Sequence, residues 1–352
     1  MGKLEDVGSL YERRPYPAVG VLSSLLQPMR RDDLPLLNYQ AGYAACYENL
    51  EGAAPQPRIL VAGCGTFEPV AVAMANPGAE ILAVDLSARS LKKLRWQARL
   101  RGVGGSVKTL QADIEDIPGE QFDYVIATGV LHHLVDPARG LASLVKNSAE
   151  RAVFRIMVYS RWGRDLLYGA KELAALLSIE TPAQIRRMMA ALPADHPYRI
   201  YFHLYSDSKN DTGLSDGYLH PCDSPFDALS LKKFLEEAGL KPGRFLHRPE
   251  GLPEAADKLA VFGPSHDDWD RLALLEALGG LEENFHLFAG RGRERLPARS
   301  LVWNPALPAR GEYFSKLTGV KISFDRSQDP ATLDLAEREL RQRALFLLPG
   351  GA

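Results

Sequence analysis

The chain has 352 residues, 46% of them hydrophobic and 24% charged, enough for a well-buried core. At roughly 150 residues per domain, that length allows two domains or one enlarged domain. Its 42 basic and 44 acidic residues leave a formal net charge of −2, so no nucleic-acid partner is expected. No uncharged apolar run of about 18 residues is present, which argues against a membrane-spanning helix.

The N-terminus lacks the apolar stretch of a secretory signal, and Asp6 stands where myristoylation favours Ser or Thr. Cys46, Cys64 and Cys222 are too scattered for a disulfide framework or a paired-cysteine metal site. The expectation is a cytoplasmic protein with reduced thiols.

Residues 1–57 are punctuated by Pro15, Pro17, Pro28, Pro35, Pro55 and Pro57, and read as a helical arm or lid with one amphipathic helix over 34–50. From Arg58 a strand–helix alternation begins. Strands are expected at 58–62, 80–85, 106–113, 122–128 and 151–159. Helices are expected at 68–75, at 87–102 with Ser87 as N-cap, and at 136–147. The alternation pauses over 160–226, then resumes with a helix at 230–240 and strands at 244–248 and 258–263.

This pattern implies an α/β fold: a Rossmann-like, doubly wound, seven-stranded sheet over 58–263, with helices on both faces. The insertion at 160–226 follows strand five at the carboxyl edge of the sheet, where substrate specificity is expected. Residues 264–352 read as a C-terminal α+β extension. It opens with a helix over 267–290 and continues with strand-like runs at 299–304 and 320–325 and a charged helix from 333.

The sharpest motif is ILVAGCGTFE at 59–68, where Gly63 and Gly65 turn the chain from the first strand into the first helix. Asp85 ends the second strand, suited to a ribose 2′,3′-diol, and Asp113 ends the third, suited to an adenine amino group. A dinucleotide would want Gly or Ala at position 68, but Glu68 stands there, and its charge opposes a pyrophosphate at a helix start. S-adenosylmethionine carries no phosphate and tolerates that carboxylate. No P-loop pattern is present.

VAGCGT, VDLSARSL, QADIED and FDYVIATGVLHHLVDP, taken together and in order, resemble the class I S-adenosylmethionine-dependent methyltransferases, in particular a bacterial subgroup with a GVLHHL-DP segment. The similarity spans about 58–248, with an echo in YERRPYP at 11–17. It implies that Gly63 and Gly65, flanked by Ala62 and Cys64, contact the methionine portion. It also implies that Asp85 with Leu86 holds the ribose, Asp113 with Ile114 the adenine, and that Thr128, Gly129 and Val130 form the cofactor floor. Ala62 stands where the family often has an acidic residue, and Phe67 where it often has a third glycine. Glu68 or backbone carbonyls are left to anchor the cofactor ammonium.

Methyl transfer from a sulfonium is an in-line displacement in which alignment does most of the work. Where the acceptor is a hydroxyl or a protonated amine, His132 or His133 is the nearest candidate base. Tyr16 and Tyr39 from the arm, Arg161 and Trp162 after strand five, and His220 at the end of the insertion are the candidate substrate contacts. His220, Cys222 and Asp223 lack the paired spacing of a metal site, so no metal is expected.

The expected activity is methylation of an O, N or C atom of a small molecule. The alternatives are a catalytically weak cofactor-binding accessory protein, or a protein or RNA methyltransferase. The segment TGVLHH lacks an amide-methylating Asn/Asp-Pro-Pro-Tyr motif, and Thr128-Gly129 lacks the acidic residue of an aminopropyltransferase.

Overall fold

The computed structural model describes residues 2–17, 34–117, 119–246, 268–279, 284–292, 300–314, 321–343 and 345–350. Strands β1 (Arg58–Ala62), β2 (Glu80–Asp85), β3 (Val107–Gln111), β4 (Phe122–Thr128) and β5 (Ser148–Tyr159) run parallel; β6 (Leu240–Phe245) and β7 (Asn284–Arg291) complete the sheet. The order is β3-β2-β1-β4-β5-β7-β6, and β7 runs antiparallel to both its neighbours.

The central strands are near-continuous apolar runs because both faces are covered. Ile59 and Val61 of β1 face one core together with Tyr124, Val153 and Phe288. Leu60 and Ala62 face the other with Val125, Phe154 and Leu287.

After α1 (Gly2–Arg13), the first face is covered by α2 (Leu34–Leu37), α3 (Tyr39–Tyr47), α4 (Glu68–Ala75) and α5 (Ala88–Leu100), and α1 packs on α5. The helix expected over 34–50 is two helices, because the side chain of Asn38 caps the second by accepting from Ala41 N at 3.1 Å. Asn76, 6% exposed, ties this pair to α4. Its Nδ2 donates to Leu37 O at 3.0 Å and Val72 O at 2.8 Å, and its Oδ1 accepts from Tyr39 N at 2.7 Å. Asn76→Ala would strand these buried groups, and we expect it to cost about 2 kcal/mol of unfolding free energy by urea titration.

The seventh strand departs from its expected position. Residues 258–263 lie outside the described residues, and β7 is formed by Asn284–Arg291, which read as the end of a long helix. The helix there, α12 (Asp268–Ala277), stops before Gly279, whose φ is +70°. Beyond it the period becomes two: Phe285, Leu287 and Ala289 enter one core and Phe288 the other. The sheet domain therefore extends past the expected boundary at 263, into residues assigned to the C-terminal extension.

The insertion carries α7 (Asp165–Leu176), α8 (Pro182–Ala191), α9 (Pro197–Leu204) and α10 (Asp211–Leu219), after α6 (Pro137–Lys146) in chain order. It has its own small core, with Leu167, Ile185, Met189, Leu214 and Tyr218 among its members. The chain rejoins the sheet where Phe226 N donates to Tyr159 O at 3.0 Å and Arg161 N to Phe226 O at 2.8 Å.

Helix α11 (Ala228–Glu237) follows, and Glu276 of α12 accepts from Ala228 N at its first turn at 2.6 Å. Burial, the leading cause, pushes the Glu276 carboxyl from 4.5 up to about 7. A folded-state value above the unfolded one means that the native state holds the extra proton. The contribution to stability is fully present below pH 4.5 and is lost as pH rises through about 7. Urea unfolding across that window should show falling stability, and Glu276→Gln should flatten the slope.

In the C-terminal part β8 (Ser300–Trp303) pairs with β11 (Leu347–Gly350) and β9 (Arg310–Phe314) with β10 (Lys321–Asp325), with α13 (Leu335–Arg343) beside them. Asn304 Nδ2 donates to Pro35 O at 3.2 Å, and Leu348 enters the first core, so this part packs on the N-terminal helices. No helix among the described residues is long and apolar enough to cross a membrane.

Candidate active site

Strand order reverses between β1 and β4, and at the carboxyl ends of these strands lies a cavity of about 500 Å³. That position and size suit a small-molecule site. Gly63 and Gly65 line it with φ of +58° and +57°, conformations that side chains rarely adopt. Between them Cys64 N donates to Val84 O at 2.9 Å, which holds the turn against β2. Burial raises the Cys64 thiol well above its ordinary value, which keeps it protonated.

Asp85 braces the turn from β2. Its carboxylate accepts from Gly65 N and from Ser87 N, each at 2.8 Å. Burial pushes this carboxyl up, and the two N–H bonds oppose that shift. Asp113 lines the same cavity and accepts from Glu115 N at 3.0 Å, with Ile114, Leu86, Thr128, Gly129 and Val130 also on the wall.

Glu68 reaches the cavity from the first turn of α4, and Arg155 of β5 faces it at 3.5 Å while donating to Thr128 Oγ1 at 2.8 Å. Burial raises the Glu68 carboxyl, and Arg155 and Thr128 act against that. Ala62 is fully buried in the sheet core and does not line the cavity, so a side chain there has no access to a ligand.

The N-terminal arm closes the cavity from above. Tyr11, Tyr16 and Pro17 line it, and Thr66 Oγ1 donates to Pro17 O at 2.8 Å. Tyr11 OH donates to Asp216 at 2.8 Å, which joins the arm to the insertion.

Of the expected substrate contacts, Tyr16 reaches the cavity and four do not. Tyr39 is 2% exposed in the core and accepts from Ala54 N at 3.2 Å, because α3 packs under the sheet. Arg161 and Trp162 lie on the surface, their cation–π contact 5.5 Å long, because the chain turns outward after Tyr159. His220 is 3% exposed and stacks on His133 at 3.9 Å, one layer behind the wall.

The two candidate bases also separate. His132 is fully buried against Tyr159 at 3.7 Å and does not line the cavity; burial drives its pKa far down. His133 lines it. The contact of its Nδ1 with Cys222 O at 3.0 Å puts the proton there and leaves Nε2 as an acceptor with no partner among the described residues. Burial lowers His133 to about 4, so it is neutral at neutral pH.

His132, His133 and Asp223 bring possible ligand atoms within 4.8 Å of one another, a cluster the sequence spacing did not reveal. Lys171 Nζ stands 2.9 Å from Asp223 and already supplies its positive charge.

Five cavity residues carried no usable sequence signal: Tyr159, Arg164, Asp207, Asp216 and Asn284. Arg164 lies over the Tyr159 ring at 3.4 Å and donates to Tyr205 OH at 2.9 Å and Asn284 Oδ1 at 2.8 Å. Asp216 accepts from Tyr159 OH at 3.0 Å. A cavity with acceptor groups at Asp85 and Asp113, a second wall from the insertion and the arm residues Tyr11, Tyr16 and Pro17 on its lining has room to hold a ligand among groups that orient it.

A family model described as a methyltransferase domain matches residues 60–147. The uncharacterized protein syc1184_c of Synechococcus sp. is 31% identical over 359 residues, covering 95% of this chain and 83% of that protein. The ubiquinone biosynthesis O-methyltransferase of Bordetella avium is 35% identical over 107 residues, 28% of this chain and 42% of that protein. The structure of PKMT2 from Rickettsia typhi is similar with a TM-score of 0.58 at 15% identity, covering 77% of this chain and 55% of that one. The chain thus spans about half of that structure, and the likeness is one of fold. The same protein in complex with AdoHcy is similar with a TM-score of 0.55 at 16% identity, covering 74% of this chain and 53% of that one.

Proposed function

We propose that this chain, which belongs to one family with the Synechococcus protein and carries a methyltransferase domain, is an S-adenosylmethionine-dependent methyltransferase that methylates a small molecule held between the β1–β4 edge and the insertion. One observation carries the reading: two carboxylates, Asp85 and Asp113, end adjacent strands and line one cavity together with the Gly63–Gly65 turn. The chemistry of this set fits the cofactor. Asp85 has lone pairs left for a ribose diol, Asp113 for an adenine amino group, and Leu86, Ile114 and Val130 offer apolar contact between them. The cofactor, when bound, supplies a methyl group already activated by its sulfonium.

The residues then bind, orient and exclude water. Gly63 and Gly65 let backbone approach the methionine portion, and Thr128 to Val130 form the floor. Tyr11, Tyr16 and Pro17 roof the site, which favours a small acceptor over a macromolecule. His133 Nε2 accepts a hydrogen bond from the acceptor and so holds its reacting atom. His133→Gln should therefore lower kcat by about 10- to 100-fold, the range of a lost positioning or base contact, with cofactor affinity within threefold.

Thermal shift tests the cofactor directly. A specific binder stabilises the fold by about 2.7 kcal/mol at one hundred times its Kd. Adenosylmethionine and adenosylhomocysteine should raise Tm and NAD should not; a rise with NAD alone would overturn the reading.

A further inference from the structure

The insertion-side wall of the cavity carries two carboxylates, Asp207 and Asp216, and one guanidinium, Arg164. Asp216, 4% exposed, takes phenol protons from Tyr11 at 2.8 Å and Tyr159 at 3.0 Å. Asp207, from the turn Ser206–Lys209, is partly buried on the same wall, with the Tyr16 and Tyr205 hydroxyls beside it. Neither carboxylate has an ion-pair partner within 4.0 Å among the described residues. Of the nearby cations, Lys171 is held by Asp223 and Arg14 by Ser215 and the Asp211 carbonyl, while Arg164, held by the neutral Tyr205 and Asn284, acts on Asp207 from the same wall. Independently, His133, 4% exposed, lines the cavity and has an Nε2 with no hydrogen-bond partner among the described residues.

We propose that the methyl acceptor is an amine, taken up as its ammonium by Asp207, Asp216 and His133 Nε2, and methylated on nitrogen. The inference rests on the methyltransferase reading. Buried carboxylates are stable when paired, and here two carboxylates, Asp207 and Asp216, face a single guanidinium, Arg164, so the wall keeps a net negative charge. An ammonium supplies both the charge and the N–H donors that three acceptors require. The ring of Tyr16, which lines the cavity, adds a face on which a cation is favourable. An acceptor reacting through a carboxylate or phosphate would add a third negative charge to the wall, and a neutral alcohol would leave one of the present two without a cation.

In the reaction the ammonium gives one proton to the Asp207 carboxylate, which burial makes more basic than usual. The freed nitrogen lone pair forms the N–C bond as the C–S bond breaks with its electron pair left on sulfur. The products are an N-methylammonium and adenosylhomocysteine, and the Asp207 proton passes to water on release.

The test separates the two readings. Adenosylhomocysteine binding is measured first by calorimetry; its absence would sink the methyltransferase reading itself. The adenosylhomocysteine complex is then titrated at pH 7 with n-butylamine, 1-butanol and butyrate, following Tm. We expect n-butylamine alone to raise Tm, and Asp207→Asn to weaken its apparent affinity at least about 10-fold while adenosylhomocysteine affinity stays within threefold. Asp216→Asn should do the same, and Asp207→Asn decides the matter should the more buried variant fail to fold. An equal rise with butanol, a larger one with butyrate, or an unchanged amine response in Asp207→Asn would each overturn the proposal. So would variants that weaken adenosylmethionine alone, since the carboxylates would then serve the cofactor's own cation.

Discussion

Asp85→Ala is expected to weaken adenosylhomocysteine binding by about 100-fold or more, and to lower unfolding stability by about 2–4 kcal/mol. Both effects have one origin. The carboxylate accepts from Gly65 N and Ser87 N at 2.8 Å each, so its loss leaves two N–H groups of the turn without a partner. On the proposed reading it also loses two bonds to the ribose diol, and hydrogen bonds to charged groups contribute about 1.5–3 kcal/mol each. Asp85→Asn separates the two roles. The amide oxygen still accepts from the backbone and limits the stability loss, while the ribose bonds lose their charge. Calorimetry and urea titration on both variants check this; affinity unchanged in Asp85→Ala would refute the ribose assignment.

Gly63→Ala should destabilise the fold by about 3–4 kcal/mol and remove cofactor binding together with it. The position has φ of +58°, and an alanine there costs about 1–2 kcal/mol in strain alone. A Cβ would also lie 2.6 Å from Val130 Cγ2 and 2.8 Å from Val130 Cβ, which no ordinary contact tolerates. The second cost belongs to the Val130 side chain, so Gly63→Ala with Val130→Ala should recover part of the stability. Gly65→Ala has no such remedy, since its Cβ would meet the Tyr16 carbonyl oxygen, a backbone atom, at 2.6 Å. Chemical denaturation of the double variant against the single ones measures the difference.

The sheet's central half was legible because its signals are local. Strands β1, β2 and β4 are apolar runs closed by Gly63, Asp85 and Gly129, and no other element type fits such runs at that length. Ser87 marked a helix start by its own side chain and caps it as expected. The edge was not legible. Strand β7 follows a helix whose periodicity runs up to it, and its burial on both faces comes from pairing with β5 and β6, contacts made 125 to 137 and 42 to 51 residues away in sequence only once the chain has folded.

The cavity divides along the same line. Gly63, Gly65, Asp85 and Asp113 stand in turns whose geometry their own residue types specify. Tyr39 read as a lid because it is aromatic and lies in the arm, but packing sends it into the core beside Tyr43 and Tyr124. Asp216 sits in an unremarkable helical stretch, and only the approach of Tyr11 and Tyr159 makes it part of the wall.

The account stands on an adenosine held by Asp85 and Asp113. A crystal structure of the protein grown with adenosylhomocysteine measures that directly. It should show the ribose hydroxyls on Asp85, the adenine between Asp113 and Ile114, and the sulfur facing the His133 wall; a cavity left empty, or one filled by a diphosphate, would contradict it.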